Sequence, residues 1–254
     1  VKNMKTWMKR VIFFVSLFVV WEIAVLLIGW PPYIMPKPTD VFPAIYIGFR
    51  DMTLVHALAA SFQRLLIGLG LSIVIGTVLG IWFAKSKTAD ETVGSLVLAL
   101  QSVPSIVWLP LAITWFGFSE TAITFIVTLG GTLVMTINMR TGIKNVPPLY
   151  IKAASTMGVS SFEMFWKVIL PASVPYAVTG IRLAWAFAWR ALMAAELLSM
   201  GPGLGYSLKY AAEFSKMDLV FGIIIIICVI GTVVDFLFFQ RIEKNVARRW
   251  GLDQ

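Results

Sequence analysis

Residues 62–84 read FQRLLIGLGLSIVIGTVLGIWFA. Apart from Gln63, Arg64, Ser72 and Thr77, every position is apolar or glycine. A helix of about 20 such residues crosses the hydrocarbon core of a bilayer. Five more runs of this kind lie at 11–29, 94–115, 119–139, 174–198 and 219–240. None alternates at period two, so the spans are expected as helices rather than barrel strands. The expectation is an all-α integral membrane protein with six transmembrane helices, organised as a single domain over 1–254.

Composition agrees. Hydrophobic residues make up 59% of the 254 and charged residues 13%, against about 45–50% and about 25% in soluble domains. A soluble globule could not cover its surface with so few polar residues. That excludes an ordinary soluble enzyme, a disordered chain and a disulfide scaffold. Cys228 and His56 are each the only residue of their type, so no metal site of several Cys or His ligands is expected. The net charge of +8 sits in short connectors between apolar runs. It is read as membrane topology rather than nucleic-acid binding.

The cations are distributed unevenly. Fourteen of the 21 Lys and Arg fall at the amino end, after the second and fourth runs and after the sixth. Five fall in the other connectors and at the outer edge of the second run, while Arg182 and Arg190 lie inside the fifth. The positive-inside rule then places both termini in the cytoplasm. The basic start (Lys2, Lys5, Lys9, Arg10) resembles a signal peptide but lacks a small-residue cleavage site, so an uncleaved first span is expected. Pro31, Pro32, Pro36 and Pro38 prevent helix before Thr39-Asp40. That pair is expected to cap a short helix carrying Val41, Phe42, Ile45 and Phe49 on one side. The third span holds Pro104 and Pro110 beside Gln101 and Ser102. It is either a kinked packing helix or a broken helix facing a watery cavity. Gly76-x-x-x-Gly80 is a spacing that lets helices approach closely.

The connection 140–171 is too apolar for a passive loop. Leu149 to Met157 reads as a short helix closed by Gly158, and Ser160 with Glu163 as a capping box for a second helix from Ser161 to Leu170, ended by Pro171. Ala153, Ala154, Met157, Phe162, Phe165 and Trp166 lie on this pair. The unit either folds back on its own bundle or docks a soluble partner.

Lys152-Ala153-Ala154, three residues, Gly158, nine residues, then Val168-Ile169-Leu170-Pro171 resembles the coupling-loop signature of bacterial ABC-importer permeases. The family form has Glu at the first position and Ile at the Val168 position, and the spacing is kept throughout. Further matching segments are Pro36-Lys37-Pro38-Thr39-Asp40-Val41, His56 with Ser61 and Arg64, Trp108-Leu109-Pro110, Trp115-Phe116-Gly117, Gly180-x-Arg182, Ala194-Ala195-Glu196 and Gly203-Leu204-Gly205. They resemble the branch that imports nitrate, sulfonates, taurine or bicarbonate. The resemblance implies a type I importer permease of the bacterial inner membrane, working as a homodimer. Two ATPase subunits in the cytoplasm and an external substrate-binding protein complete the implied assembly. It also implies that Lys152, Ala153, Ala154, Met157, Gly158, Val159, Ser160 and Phe162 meet the ATPase. No G-x-x-x-x-G-K-[ST] occurs in the chain. ATP and Mg²⁺ are therefore expected on the partner ATPase, with no cofactor, catalytic residue or metal site in this chain.

Arg190 falls near the middle of the fifth span. A charge there costs about 2.5–3.5 kcal/mol or more, so it must face the bundle interior or water. It either lends positive potential to a path for an anionic substrate or pairs with Glu196, Asp235 or Glu22. Glu196, Trp189 and Gln101 are further candidates for the path, and Asp235 and Glu22 are read as structural. Permeases that this chain resembles also serve pyrimidine precursors of thiamine, so such a precursor or another small organic solute is the alternative substrate. An ion-coupled secondary transporter would show paired intramembrane acids and related halves, and neither is evident.

Overall fold

The computed structural model describes residues 2–251, with side chains from Met8 onward. The side chains of Lys2 and Lys5, counted above in the charge balance, lie outside that set. All described elements are helical. In order they are α1 (Lys2–Ile28), α2 (Pro38–Arg50), α3 (Thr53–Lys85), α4 (Lys87–Gln101) and α5 (Ser105–Phe116). Then come α6 (Glu120–Lys144), α7 (Pro148–Thr156), α8 (Ser161–Glu196), α9 (Leu204–Glu213) and α10 (Met217–Arg249). Helices α1, α3, α6, α8 and α10 are long and apolar enough to span, and α4 with α5, taken as one bent span, is the sixth.

The described residues form two compact units, one of residues up to 59 with 202–229, the other of 60–201 with those from 230 on. In the first, aromatic contacts join α1 to its neighbours: Phe18 to Phe42 at 5.7 Å and Trp21 to Phe221 at 5.3 Å. Helix α2 begins at Pro38, whose fixed φ suits the first helical position. Thr39 is therefore inside the helix rather than its cap. Its N–H and hydroxyl instead donate to Glu22, at 3.2 and 3.0 Å, which gives Glu22 the structural role expected of it. Val41 is fully buried, whereas Phe42 and Phe49 remain exposed.

The second unit is built around α6. In lipid, helices gain little from burying apolar surface, so association relies on close backbone approach through small residues. Cβ atoms added at Gly76 and Gly80 of α3 would lie 2.6 Å from Met135 Cβ and Met139 Cβ of α6. From α8, Gly180 presses on Asn138, and from α6, Gly142 presses on Tyr176, with built Cβ distances of 2.8 and 2.5 Å. The GxxxG spacing is thus the α3–α6 seam. Gly80→Leu, which would also meet the Thr136 carbonyl at 2.7 Å, is expected to cost about 3 kcal/mol or more, the upper end for overpacking. Gly70→Leu, with nothing within 4 Å, is expected to leave thermal stability in detergent unchanged.

The interrupted span takes the broken form rather than the kinked one: α4 and α5 meet at 99°. Pro104 has extended backbone and disfavours helix at Val103 before it. Three expectations need correction. Pro110 falls in the first turn of the helix Leu109–Phe116, where a missing N–H costs nothing, so it breaks nothing. The element starts at Lys87 rather than 94. Pro171, lastly, does not end the unit before the fifth span, since α8 runs through it from Ser161 to Glu196. The turn ahead of it, Met164–Ile169, is a wide π turn, which leaves a place in the ladder where the N–H that proline lacks is not required.

Candidate functional site

Two regions carry chemistry. The first is the connection between α6 and α8. Pro147 is extended and Pro148 opens α7. Gly158 has φ +76°, the left-handed conformation that closes a helix, with Gly158 N donating to Ser155 O at 3.1 Å and Val159 N to Ala154 O at 3.2 Å. Ser160 Oγ then accepts from Glu163 N at 3.3 Å and caps α8. The capping box and glycine stop read from sequence are both present.

This geometry turns apolar side chains outward. Met157 is 82% exposed, Phe162 74% and Leu149 72%. Lys152 and Ala153 are also exposed, Val159 is half-buried, and Ala154 is buried against the protein. Lys152 makes no ion pair among the described residues. Phe165 is buried beneath the Lys85 ammonium, 3.4 Å from its ring centroid.

The second region is a cleft of about 350 Å³ where the α4–α5 break faces α8, lined by Gln101, Ser102, Pro104, Ser105, Phe187 and Arg190 among others. The break brings Gln101, Ser102 and Ser105 to the cleft, and α8 brings the guanidinium. Arg190 lies 5.8 Å from the Phe187 ring centroid and makes no ion pair among the described residues. Its three expected partners bind other groups. Glu196 binds Arg64, Asp235 binds Arg182, and Glu22 binds Thr39.

The other two path candidates are not in this cleft. Trp189 is one residue from Arg190, about 100° around the helix. It is buried, stacked on Trp185 at 5.8 Å, with its indole against Gly231. Glu196 lies fully buried, with Ser61 Oγ 2.9 and 2.8 Å from its oxygens and Arg64 Nη1 at 2.6 Å. Arg64 Nη2 also donates to Glu120 at 2.6 Å. The profile of the family described as "Binding-protein-dependent transport system inner membrane component" matches residues 72–247.

The chain belongs to this family.

It is similar to the taurine transport system permease protein TauC of Escherichia coli K12. The two are 32% identical over 222 residues, which is 85% of this chain and 80% of TauC. It is similar to the formylaminopyrimidine transport permease protein ThiX of Halalkalibacterium halodurans, 30% identical over 94% of both chains. The fold matches a chain of the MetNI methionine ABC transporter in an inward-facing form, with a TM-score of 0.66 at 18% identity, covering 76% of this chain and 96% of that one. The protein is thus a multi-span permease subunit with the type I importer fold, and the family is one of transport components rather than enzymes.

Two further ion clusters in the permease were not expected from sequence. Arg182 grips Asp235 through two bonds of 2.7 and 2.8 Å and reaches Glu243 at 2.5 Å. Asp90 of α4 receives both Arg140 and Lys144 of α6. No local spacing signals either, because the paired residues lie 50 to 61 positions apart.

Proposed function

We propose that this permease forms the path for a small anion, a sulfonate such as taurine or an inorganic anion such as nitrate, in an ATP-driven importer. Arg190 carries the proposal: a cation inside an apolar span, in a cleft with Gln101 and Ser105, with no carboxylate answering it among the described residues. Such a charge is costly unless water or a ligand meets it. Two copies of the chain form the pathway, and both termini face the cytoplasm. An external binding protein delivers the substrate, and two ATPase subunits bind ATP and Mg²⁺ at their own sites. The pyrimidine cargo named for ThiX favours a second reading, in which Gln101 and Ser105 hydrogen-bond a neutral ring and Arg190 faces water. Uptake into proteoliposomes separates the two: radiolabelled taurine competed by nitrate supports the anion, and competition by formylaminopyrimidine alone overturns it.

The exposed Leu149, Met157 and Phe162 support docking of the ATPase on this loop. Burial of such side chains at a protein interface is worth about 1.5–3 kcal/mol each. Met157→Asp with Phe162→Asp is expected to lower ATPase co-purification at least tenfold while membrane expression of the permease holds, read by gel after affinity capture. Unchanged co-purification would place the contact elsewhere.

A further inference from the structure

The α6–α8 connection and the cleft that holds Arg190 are linked through α6 and α4, and the Asp90 ion cluster lies on that link. Arg140 and Lys144 stand four residues apart in the last turns of α6, directly before the loop. Two cations at that spacing repel unless an anion lies between them. Asp90 is that anion. Its carboxylate, 9% exposed, receives Arg140 Nε, Arg140 Nη2 at 2.8 Å and Lys144 Nζ. The two-bond Arg–carboxylate fork fixes orientation as well as distance. Asp90 opens the π turn Asp90–Gly94. Gly94 leaves room for it, since a Cβ there would sit 3.1 Å from Asp90 Oδ1.

From Asp90 the helix continues unbroken to Gln101, a rod of about 16 Å at the usual rise. Its far end carries Gln101 and Ser102 into the Arg190 cleft. The other end of the loop is held to α3 by Lys85 over Phe165. Apolar packing anchors this region independently: Phe83, Ala89 and Val97 form a buried cluster with Leu79, Leu133 and Ile137 against it. Apolar packing thus holds α4 to α6 alongside the ion cluster.

We propose that Asp90 is a positioning residue that carries displacement of the coupling loop through α4 to Gln101 and Ser102, so that the cleft responds to nucleotide. This rests on the reading that the loop docks the ATPase. The push enters at α7, moves the inner end of α6, and is passed by the Asp90 fork to a stiff helix that ends at the break. The bend at Ser102–Pro104 then changes access to Arg190.

The test uses the complete complex of permease, ATPase and binding protein in proteoliposomes, with Cys228→Ser and a Ser105→Cys reporter. Labelling of the reporter by a soluble maleimide is compared with and without ATP and vanadate. With Asp90 present, nucleotide is expected to change the labelling rate about tenfold, within the range of ordinary allosteric couplings. With Asp90→Asn the change is expected to fall below about twofold while ATP hydrolysis continues, and Asp90→Glu is expected to restore it. A purely structural Asp90 would lower hydrolysis and labelling response together. Should Asp90→Asn fail to assemble, Lys144→Met, which leaves the Arg140 fork in place, is expected to cut the response about threefold. An unaltered response in Asp90→Asn, or in Lys144→Met, overturns the role of Asp90 alone. Absence of any response with Asp90 present overturns the docking reading and this one with it.

Discussion

Glu196→Ala is expected to lose about 3–5 kcal/mol of stability, the cost of removing one partner from a buried ion pair. The carboxylate has no exposed surface. Ser61 and Arg64 both donate to it, and Arg64 is itself buried. After the substitution the guanidinium keeps only Glu120, whose side chain is 63% exposed. A loss of that size is a large fraction of the 5–15 kcal/mol typical of a folded domain. It should show as a collapse of monodisperse yield in detergent and a clear drop in melting temperature. Glu120→Ala is expected to cost about 1 kcal/mol or less, because its carboxylate is largely in solvent and Arg64 keeps Glu196. Arg64→Met with Glu196→Leu is expected to recover most of the loss, since apolar replacement of a buried pair is often neutral. Equal effects of Glu196→Ala and Glu120→Ala would show that burial does not set the energy here.

Arg190→Glu is expected to lower anion uptake about a hundredfold with little change in assembly. Near a protein surface two unit charges 4 Å apart interact with about 4 kcal/mol. Reversing the sign therefore easily supplies the roughly 2.7 kcal/mol that a hundredfold rate loss requires. Arg190→Gln, which removes attraction without adding repulsion, is expected to cost about tenfold, a single 1.4 kcal/mol step. Arg190→Lys should retain most activity. Because Arg190 takes part in no ion pair among the described residues, these variants should keep the wild-type melting temperature. Initial rates of taurine uptake in proteoliposomes, with ATPase and binding protein supplied, give the comparison. Uptake that is indifferent to the charge at 190 would favour the neutral-solute reading.

The long spans were legible because a bilayer imposes length and apolarity on each segment separately. The loop between α6 and α8 was legible for a similar reason: Gly158, Ser160 and Glu163 act within a few residues of one another, and local spacing encodes them. Helix ends were less so. The span near 174–198 begins at Ser161, since a π turn absorbs Pro171, and nothing in residue type announces a π turn. Of the four path candidates, Arg190 and Gln101 share the cleft, whereas Trp189 and Glu196 are packed. Residue type gave each an equal claim, and the helix phase separates them. Arg190 and Glu196 are six residues apart, about 240° around the axis. Arg64 passed as an edge-of-span cation because its partners, Glu120 and Glu196, are 56 and 132 residues away. Pairings at that range follow from tertiary packing and leave no local pattern.

ATP-driven uptake by the purified permease reconstituted with its ATPase, with and without a taurine-loaded binding protein, tests whether the permease is part of an ATP-driven importer. Taurine is expected to accumulate inside the vesicles only with all three components and ATP, and not in Met157→Asp with Phe162→Asp. Accumulation without the ATPase, driven by an ion gradient and unaffected by those loop substitutions, would contradict that reading.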